Sequence, residues 1–431
     1  MIRTASASAA GRPRSALVAF AAMASVYFFS YVQRTAIPGT IFDELQVDFS
    51  LAAASVAALG ALFTWIYGGM QIFVGILVDG WGGRRNLIGG GLVMVVGSLL
   101  FPLAHSLPLL LAARALTGLG ASFIYLAIIK EIHLHFTVEQ FPIALGSLLA
   151  VGYCGGVAAT LPFERSVAAL GWRQALIVVA ALSLASLAAA ALLSTPSRDG
   201  RQRRTAPSFT SLSLVLANRS CWPSYASSLI SFPIYFVVLT ILGKKFLQDR
   251  AGLDSASAAA VLLAMTVMSA LSVTLGGLLP RMVGGRNKPG IMAGSAAVVA
   301  ALAALLAGAL LAAPAAVYLA AYLLLAMAIG ISGPSSQATM RDLNRPELLA
   351  SGISVTNALA YLGCGAVAQI CGMILDGFHP STLAGKDVLV YPQAAYVALF
   401  SFLLVLALLN FGFASVIPET GERTGVTRPP S

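Results

Sequence analysis

The sequence predicts an all-α membrane protein, twelve transmembrane helices in two pseudo-symmetric six-helix bundles. Three observations predict it. Hydrophobic types make up 58 % of the 431 residues and charged types only 10 %, with a mean hydropathy of +0.87. A soluble chain carries about 25 % charge, so an ordinary soluble enzyme, a disordered chain and a coiled coil are excluded. Apolar stretches of roughly 20 residues, the length that crosses a bilayer, recur along the whole chain. The basic residues, finally, fall mostly on one side of those stretches.

In order, the spans read 17–38, 51–75, 86–104, 108–130, 143–163 and 173–193, then 221–243, 255–279, 289–311, 315–338, 350–375 and 391–416. These long runs exclude a β-barrel, whose strands are short and alternating. The first run follows Arg3, Arg12 and Arg14. It is too long for a signal-peptide core and ends in Gln33-Arg34 without a small-residue cleavage site, so it reads as an uncleaved helix. Placing the N-terminus inside puts eighteen of the 26 Lys and Arg on the cytoplasmic side and six outside, with Arg34 and Arg114 inside spans. This obeys the positive-inside rule and predicts both termini in the cytoplasm. The net charge of +10 is then a matter of orientation and calls for no nucleic acid.

The longest polar stretch, with Arg198, Arg201, Arg203 and Arg204, predicts a basic cytoplasmic linker. The expected organisation is a bundle at 1–193, the linker at 194–220, a second bundle at 221–418 and a polar tail at 419–431. The halves share a local pattern. Gly75, Asp79, Gly82 and Arg84 are each matched 202 residues later by Gly277, Arg281, Gly284 and Arg286. A fixed offset after the second span of each half indicates an internal repeat. Gly75, Asp79, Gly82, Arg84, Arg85, Arg281 and Arg286 are expected to form a conformational latch between the halves, against the plainer reading of a tight turn with interfacial arginines.

The pattern Gly75-x-x-x-Asp79-x-x-Gly82-x-Arg84-Arg85 resembles the signature loop of the major facilitator superfamily. Arg114-Ala-Leu-Thr-Gly118-Leu-Gly120 resembles the signature of its fourth helix, and Gly171-Trp172-Arg173 the entry to its sixth. The resemblance implies two six-helix bundles rocking about a central site. Tyr31-x-x-Arg34, with Trp65, Tyr67, Gln71, Gly75 and Asp79 following, resembles the organic-anion branch, the anion:cation symporters and the nearby sugar-phosphate permeases. There the first-helix arginine binds the acidic group of the substrate. In that branch a glutamate often sits seven residues after the fourth-helix arginine and serves proton coupling; here that position is Ala121.

The residues themselves point the same way. Tyr27, Ser30, Tyr31 and Arg34 share one helical face. A guanidinium there can grip a carboxylate through two parallel hydrogen bonds, or it can snorkel to the outer interface. Tyr67 and Gln71 share a face of the second span, and Asn357 and Tyr361 one of the eleventh, as pathway lining or as helix glue. Tyr235 belongs to an aromatic stripe that packs or offers its hydroxyl. Arg114 and Glu131 read as coupling or structural groups, with Glu131 also open to a surface pair with Lys130. No acid sits at mid-span, which fits an anionic ligand better than a cation. The histidines and four cysteines lack a convincing metal-ligand spacing, and no cofactor or catalytic cluster is expected.

The expectation is a secondary transporter of a small organic anion, working as a monomer in a bacterial inner membrane by proton-coupled symport or anion exchange. A non-transporting anion sensor and an exporter of amphipathic compounds are the alternatives.

Overall fold

The computed structural model describes residues 13–137, 140–194, 209–345, 348–382 and 388–421. The basic linker from 195 to 208 and the tail beyond 421 lie outside the described residues, as do the side chains of Asp79 and Arg281. In chain order the helices are α1 (Pro13–Ala36), α2 (Phe42–Phe49), α3 (Ala53–Trp81), α4 (Gly83–Leu103), α5 (Leu107–His135), α6 (Phe141–Ala158), α7 (Leu161–Leu170) and α8 (Trp172–Leu193). The second half holds α9 (Phe209–Ala217), α10 (Trp222–Val237), α11 (Gly243–Ala251), α12 (Ser255–Met282), α13 (Lys288–Leu311), α14 (Ala315–Leu343), α15 (Leu349–Asp376) and α16 (Gln393–Val416). A two-residue hairpin, β1 (Ser381–Thr382) with β2 (Leu389–Val390), precedes α16.

Among the described residues eleven stretches are long and apolar enough to span a bilayer, and the bent pair α6–α7 makes a twelfth. The bend of 42° falls where Thr160 is followed by Leu161-Pro162, since proline opens a helix readily but cannot continue one. The seventh span runs from α10 through a π turn at Val238–Leu242 into α11. Both departures lengthen spans that the sequence places at 143–163 and 221–243.

Helices α1 and α4 to α8 pack mainly within the first half, and α10, α12 to α14 and α16 within the second; α3 and α15 pack most heavily against each other, and they with α6–α7 against α12 join the two sets. The cores show how. At the end carrying Ile41, Phe42 and the π turn, one apolar core runs through both sets, from Val32, Ile37 and Leu45 to Phe246, Tyr396 and Phe400. Toward the opposite end, which carries Gly82 and Gly284, the cores separate. One is built from residues between Phe20 and Ala190, and two others from second-half residues alone. The halves are thus sealed at one end and parted at the other.

Candidate functional site

Arg34 lies on α1 three residues after Tyr31, and its guanidinium carbon sits 3.8 Å from the centre of the Tyr31 ring. Helical side chains lean toward the helix N-terminus, so the guanidinium points back into the bundle. The nearer aqueous interface is closed to it, because Ala36 to Phe42 are all buried in the seal. Nη1 donates instead to the Tyr361 hydroxyl of α15 at 2.6 Å, and the Tyr361 ring lies 5.8 Å away. Arg34, Tyr31 and Tyr361 keep partial solvent access. Among the described residues none of the ion pairs includes Arg34.

Aromatic rings from both halves surround it. Tyr27 meets Tyr31 edge-on at 5.0 Å and stacks on Tyr125 at 5.4 Å. Tyr67 lies 4.6 Å from Tyr361, and Phe232 stands edge-on to Tyr361 at 5.7 Å. Glycines set this close approach. A side chain on Gly155 would strike the Phe28 carbonyl, and one on Gly68 would strike Tyr361. Trp65 points to the neighbouring helix, its indole N–H donating to the Leu362 carbonyl at 3.1 Å. Gln71 is buried near the Tyr67 face, and Asn357, one turn from Tyr361, is exposed. Tyr235 is buried with its hydroxyl 2.7 Å from that of Ser269, so its hydroxyl is engaged within its own half.

Arg114 is only 1 % exposed and does not reach this space. Its three donor nitrogens bond the carbonyls of Leu59, Gln33 and Ile37, and its guanidinium covers Phe63. Of its two readings the geometry provides the structural one, a staple joining α5 to α1 and α3.

The sealed end holds a cluster of buried charges. Lys244 bonds Glu164 of α7 and the Thr40 carbonyl. Glu164 also accepts from Ser255. Lys245, fully buried, pairs with Asp43 at 2.8 Å and Asp249 at 2.9 Å, and donates to the Leu389 carbonyl. Asp249 accepts from the Tyr396 hydroxyl, and Asp376 of α15 caps α3 through the N–H groups of Ala53 and Ala54. Asp43 and Glu164 belong to the first half and the lysines to the second, so these bonds tie the halves together. Beside them Glu44 buries its Oε2 without a hydrogen-bond partner, and burial pushes its carboxyl above the usual range.

At the opposite end the repeated loops adopt one design. Gly82 and Gly284 both take positive φ, 84° and 76°, which only glycine tolerates easily. After each, an acid caps the next helix. Glu131 accepts from the Arg84 N–H at 2.7 Å, and Glu419 from those of Asn287 and Lys288 at 3.1 Å. This corrects one expectation, that of a surface-exposed Glu131. Glu131 is 2 % exposed, a buried cap rather than a surface acid, and its Oε2 lies 3.3 Å from His135 Nε2. With this end parted, Arg84 and Arg286 are engaged within their own halves. Arg84 bonds Ala191 and Ser194, and Arg286 pairs with Glu419 at 3.0 Å. The part of the latch assigned to Asp79 and Arg281 falls on side chains outside the described residues. No described bond of Gly75 or Arg85 adds to it.

A paired-loop geometry on twelve helices has a counterpart among known proteins. The family model described as "Major Facilitator Superfamily" matches residues 23–368. The chain belongs to the major facilitator superfamily. Among curated proteins this facilitator is 27 % identical over 184 residues to the "Probable sulfoacetate transporter SauU" of Cupriavidus necator, covering 43 % of each chain. It is 30 % identical over 161 residues to "Monocarboxylate transporter 6" of Mus musculus, covering 36 % of this chain and 33 % of that one. The facilitator thus spans less than half the length of these relatives. Its fold matches a bacterial homologue of the human lysosomal transporter Spinster in an inward-facing, unoccupied conformation. The TM-score is 0.78 and identity 17 %, over 94 % of this chain and 98 % of that one. The occupied form gives 0.76 and 18 %, over 94 % and 97 %.

Proposed function

We propose that this facilitator moves a small organic anion across the membrane by alternating access, with Arg34 as the anion-binding group. The observation that carries the reading is an arginine deep in the bundle, partly open to solvent, held by a tyrosine face and hydroxyl rather than by a carboxylate. An unpaired guanidinium away from bulk water is costly unless a ligand or partner meets it. With one N–H on Tyr361, its remaining donors can grip a carboxylate or sulfonate. Relatives named for sulfoacetate and for monocarboxylates support this. Tyr27, Tyr31, Tyr67, Gln71, Asn357 and Tyr361 complete the site in this reading, with Tyr235 behind it.

The positive-inside rule puts the parted, basic end in the cytoplasm and the sealed end outside, so this conformation faces inward. Bundles at 1–193 and 221–418, joined by the linker, rock about the site as a monomer, with both termini in the cytoplasm of a bacterial cell. Coupling is by proton symport or anion exchange, and the loops around Asp79 and Arg281 bias the exchange between states.

The test is a thermal-shift screen of purified protein against carboxylates, sulfonates, sugar acids and organophosphates, since a ligand of the folded state raises its apparent stability. Uptake of the best ligand into proteoliposomes follows. An anion that stabilises the protein and accumulates down an imposed gradient supports the reading; stabilisation by cations alone contradicts it.

A further inference from the structure

We propose that the site around Arg34 is built for a monoanion with a flat, unsaturated body, of the arylcarboxylate or arylsulfonate class. The inference rests on the anion-transport reading and narrows it in charge and in shape.

The charge argument is an account of the cations near the site. Arg114 spends its donors on three backbone carbonyls. Lys244 and Lys245 are paired with Glu164, Asp43 and Asp249. Of the four cations Arg34 alone lies against the aromatic walls, and it has no acidic partner among the described residues. One guanidinium neutralises one acidic group. A second carboxylate or sulfonate on the same ligand would lie desolvated among tyrosine rings, with no cation to meet it.

The shape argument comes from the walls. Tyr31, Tyr125, Tyr153, Phe232 and Tyr361 come from five helices, α1, α5, α6, α10 and α15, and all keep partial solvent access. Neighbouring rings stand 4.6 to 6.3 Å apart around Arg34 in edge and tilted contacts, with Tyr27 and Tyr125 stacked. A planar π body joins such an array by offset or edge-on packing at the same spacings. A polyhydroxylated body would need many hydrogen-bond partners instead. Two hydroxyls are already engaged, Tyr361 with Arg34 and Tyr235 with Ser269. The amides at hand are Gln71, which is buried, and Asn357.

Titration calorimetry on the full-length protein in detergent tests this with four probes: benzoate, cyclohexanecarboxylate, gluconate and sulfoacetate. Benzoate and cyclohexanecarboxylate match in charge and approximate size but differ in flatness. The expected result is benzoate binding roughly three- to tenfold tighter than cyclohexanecarboxylate, the value of one or two aromatic contacts. Gluconate and sulfoacetate should bind more weakly still. Phe232→Leu, which keeps an apolar wall, should narrow the gap between the first two. Gluconate or sulfoacetate binding as tightly as benzoate, or cyclohexanecarboxylate equalling it, would overturn the inference and leave the anion reading standing. Binding by none of the four, nor by any anion of the wider screen, would overturn both.

Discussion

Arg34 and Tyr361, 327 residues apart, meet through one hydrogen bond of 2.6 Å that crosses between the two halves. The residue read as the anion anchor therefore also holds α1 against α15. The two roles separate in Tyr361→Phe, which keeps the ring and removes the hydroxyl. A hydrogen bond to a charged group contributes roughly 1.5–3 kcal/mol. We expect the variant to shift the protein toward conformations in which α1 and α15 part, altering transport rate. Anion affinity, measured by calorimetry, should stay within about tenfold of the parent, because the donors that grip the ligand remain.

Adjacent glycines on α3 test how α15 is seated. A methyl group on Gly68 would lie 2.8 Å from the Tyr361 Cβ and 3.1 Å from the Ala358 carbonyl, whereas one on Gly69 meets nothing within 4 Å. Gly68→Ala should cost about 1–3 kcal/mol by overpacking and lower the melting temperature. Gly69→Ala should be neutral or slightly stabilising. Equal melting curves for the two would contradict the packing described.

Lys244 and Glu164 are 3 % and 6 % exposed, and their pair ties the second half to the first at the sealed end. Removing one partner of a buried pair costs about 3–5 kcal/mol, because the other charge is stranded. Opening this end would rehydrate that charge, so Lys244→Ala should populate the outward-open state. Spin labels on Val47→Cys and His379→Cys, in a background lacking the exposed Cys154, report the separation. A distance distribution unchanged by Lys244→Ala would count against a gate here.

Acid should favour the same sealed state. Burial raises the Glu44 carboxyl; Asp43 and Glu164 push the same way, and Lys244 pulls it down. A carboxyl raised in the sealed state stabilises that state fully below the pKa it has when the end is open, near the ordinary value of about 4.3. That stabilisation is lost as pH rises through the raised value. The same label pair should report more sealed protein at acid pH. In Glu44→Gln, which cannot ionise, the dependence over that window should flatten. A pH response unaltered by the substitution would assign it to another group.

The spans, the paired loops at 82 and 284 and the aromatic face of α1 were legible in the sequence because they rest on local composition and spacing. Tyr27, Tyr31 and Arg34 recur at helical intervals, and the positive φ at both loop glycines agrees with the 202-residue repeat. The breaks were less visible. Leu161-Pro162 offered a signal for the bend after α6 that length alone concealed, while the π turn at Val238–Leu242 carries no local signal and packs against Gly39, where any side chain would strike the Thr240 carbonyl. Glu131 looked like a surface acid because Lys130 is its neighbour in sequence; it is buried and accepts from a backbone N–H 47 residues away. The ion pairs that Lys244 and Lys245 make across the halves join residues 80 and 202 apart. The signal available was that Asp43, Glu164, Lys244 and Lys245, two acids and two bases, all lie within a few residues of predicted span ends.

Arg114 provides the contrast to Arg34. Its guanidinium satisfies three buried carbonyls, so Arg114→Ala should lower the melting temperature and the yield of folded protein, each stranded carbonyl costing about 1–3 kcal/mol. Whatever folded protein is recovered should retain anion binding.

The most direct test of the account is the dissociation constant of the best anion for Arg34→Lys against the parent. Lysine keeps the charge but is a compact donor on a flexible stem and cannot present two parallel N–H bonds to a planar acid. Losing one charged hydrogen bond costs on the order of 2 kcal/mol, so affinity should fall about thirtyfold while melting and expression stay near normal. A well-folded Arg34→Lys protein that binds the anion within about twofold of the parent would contradict the account, leaving Arg34 as a positive charge between tyrosines rather than the group that recognises the substrate.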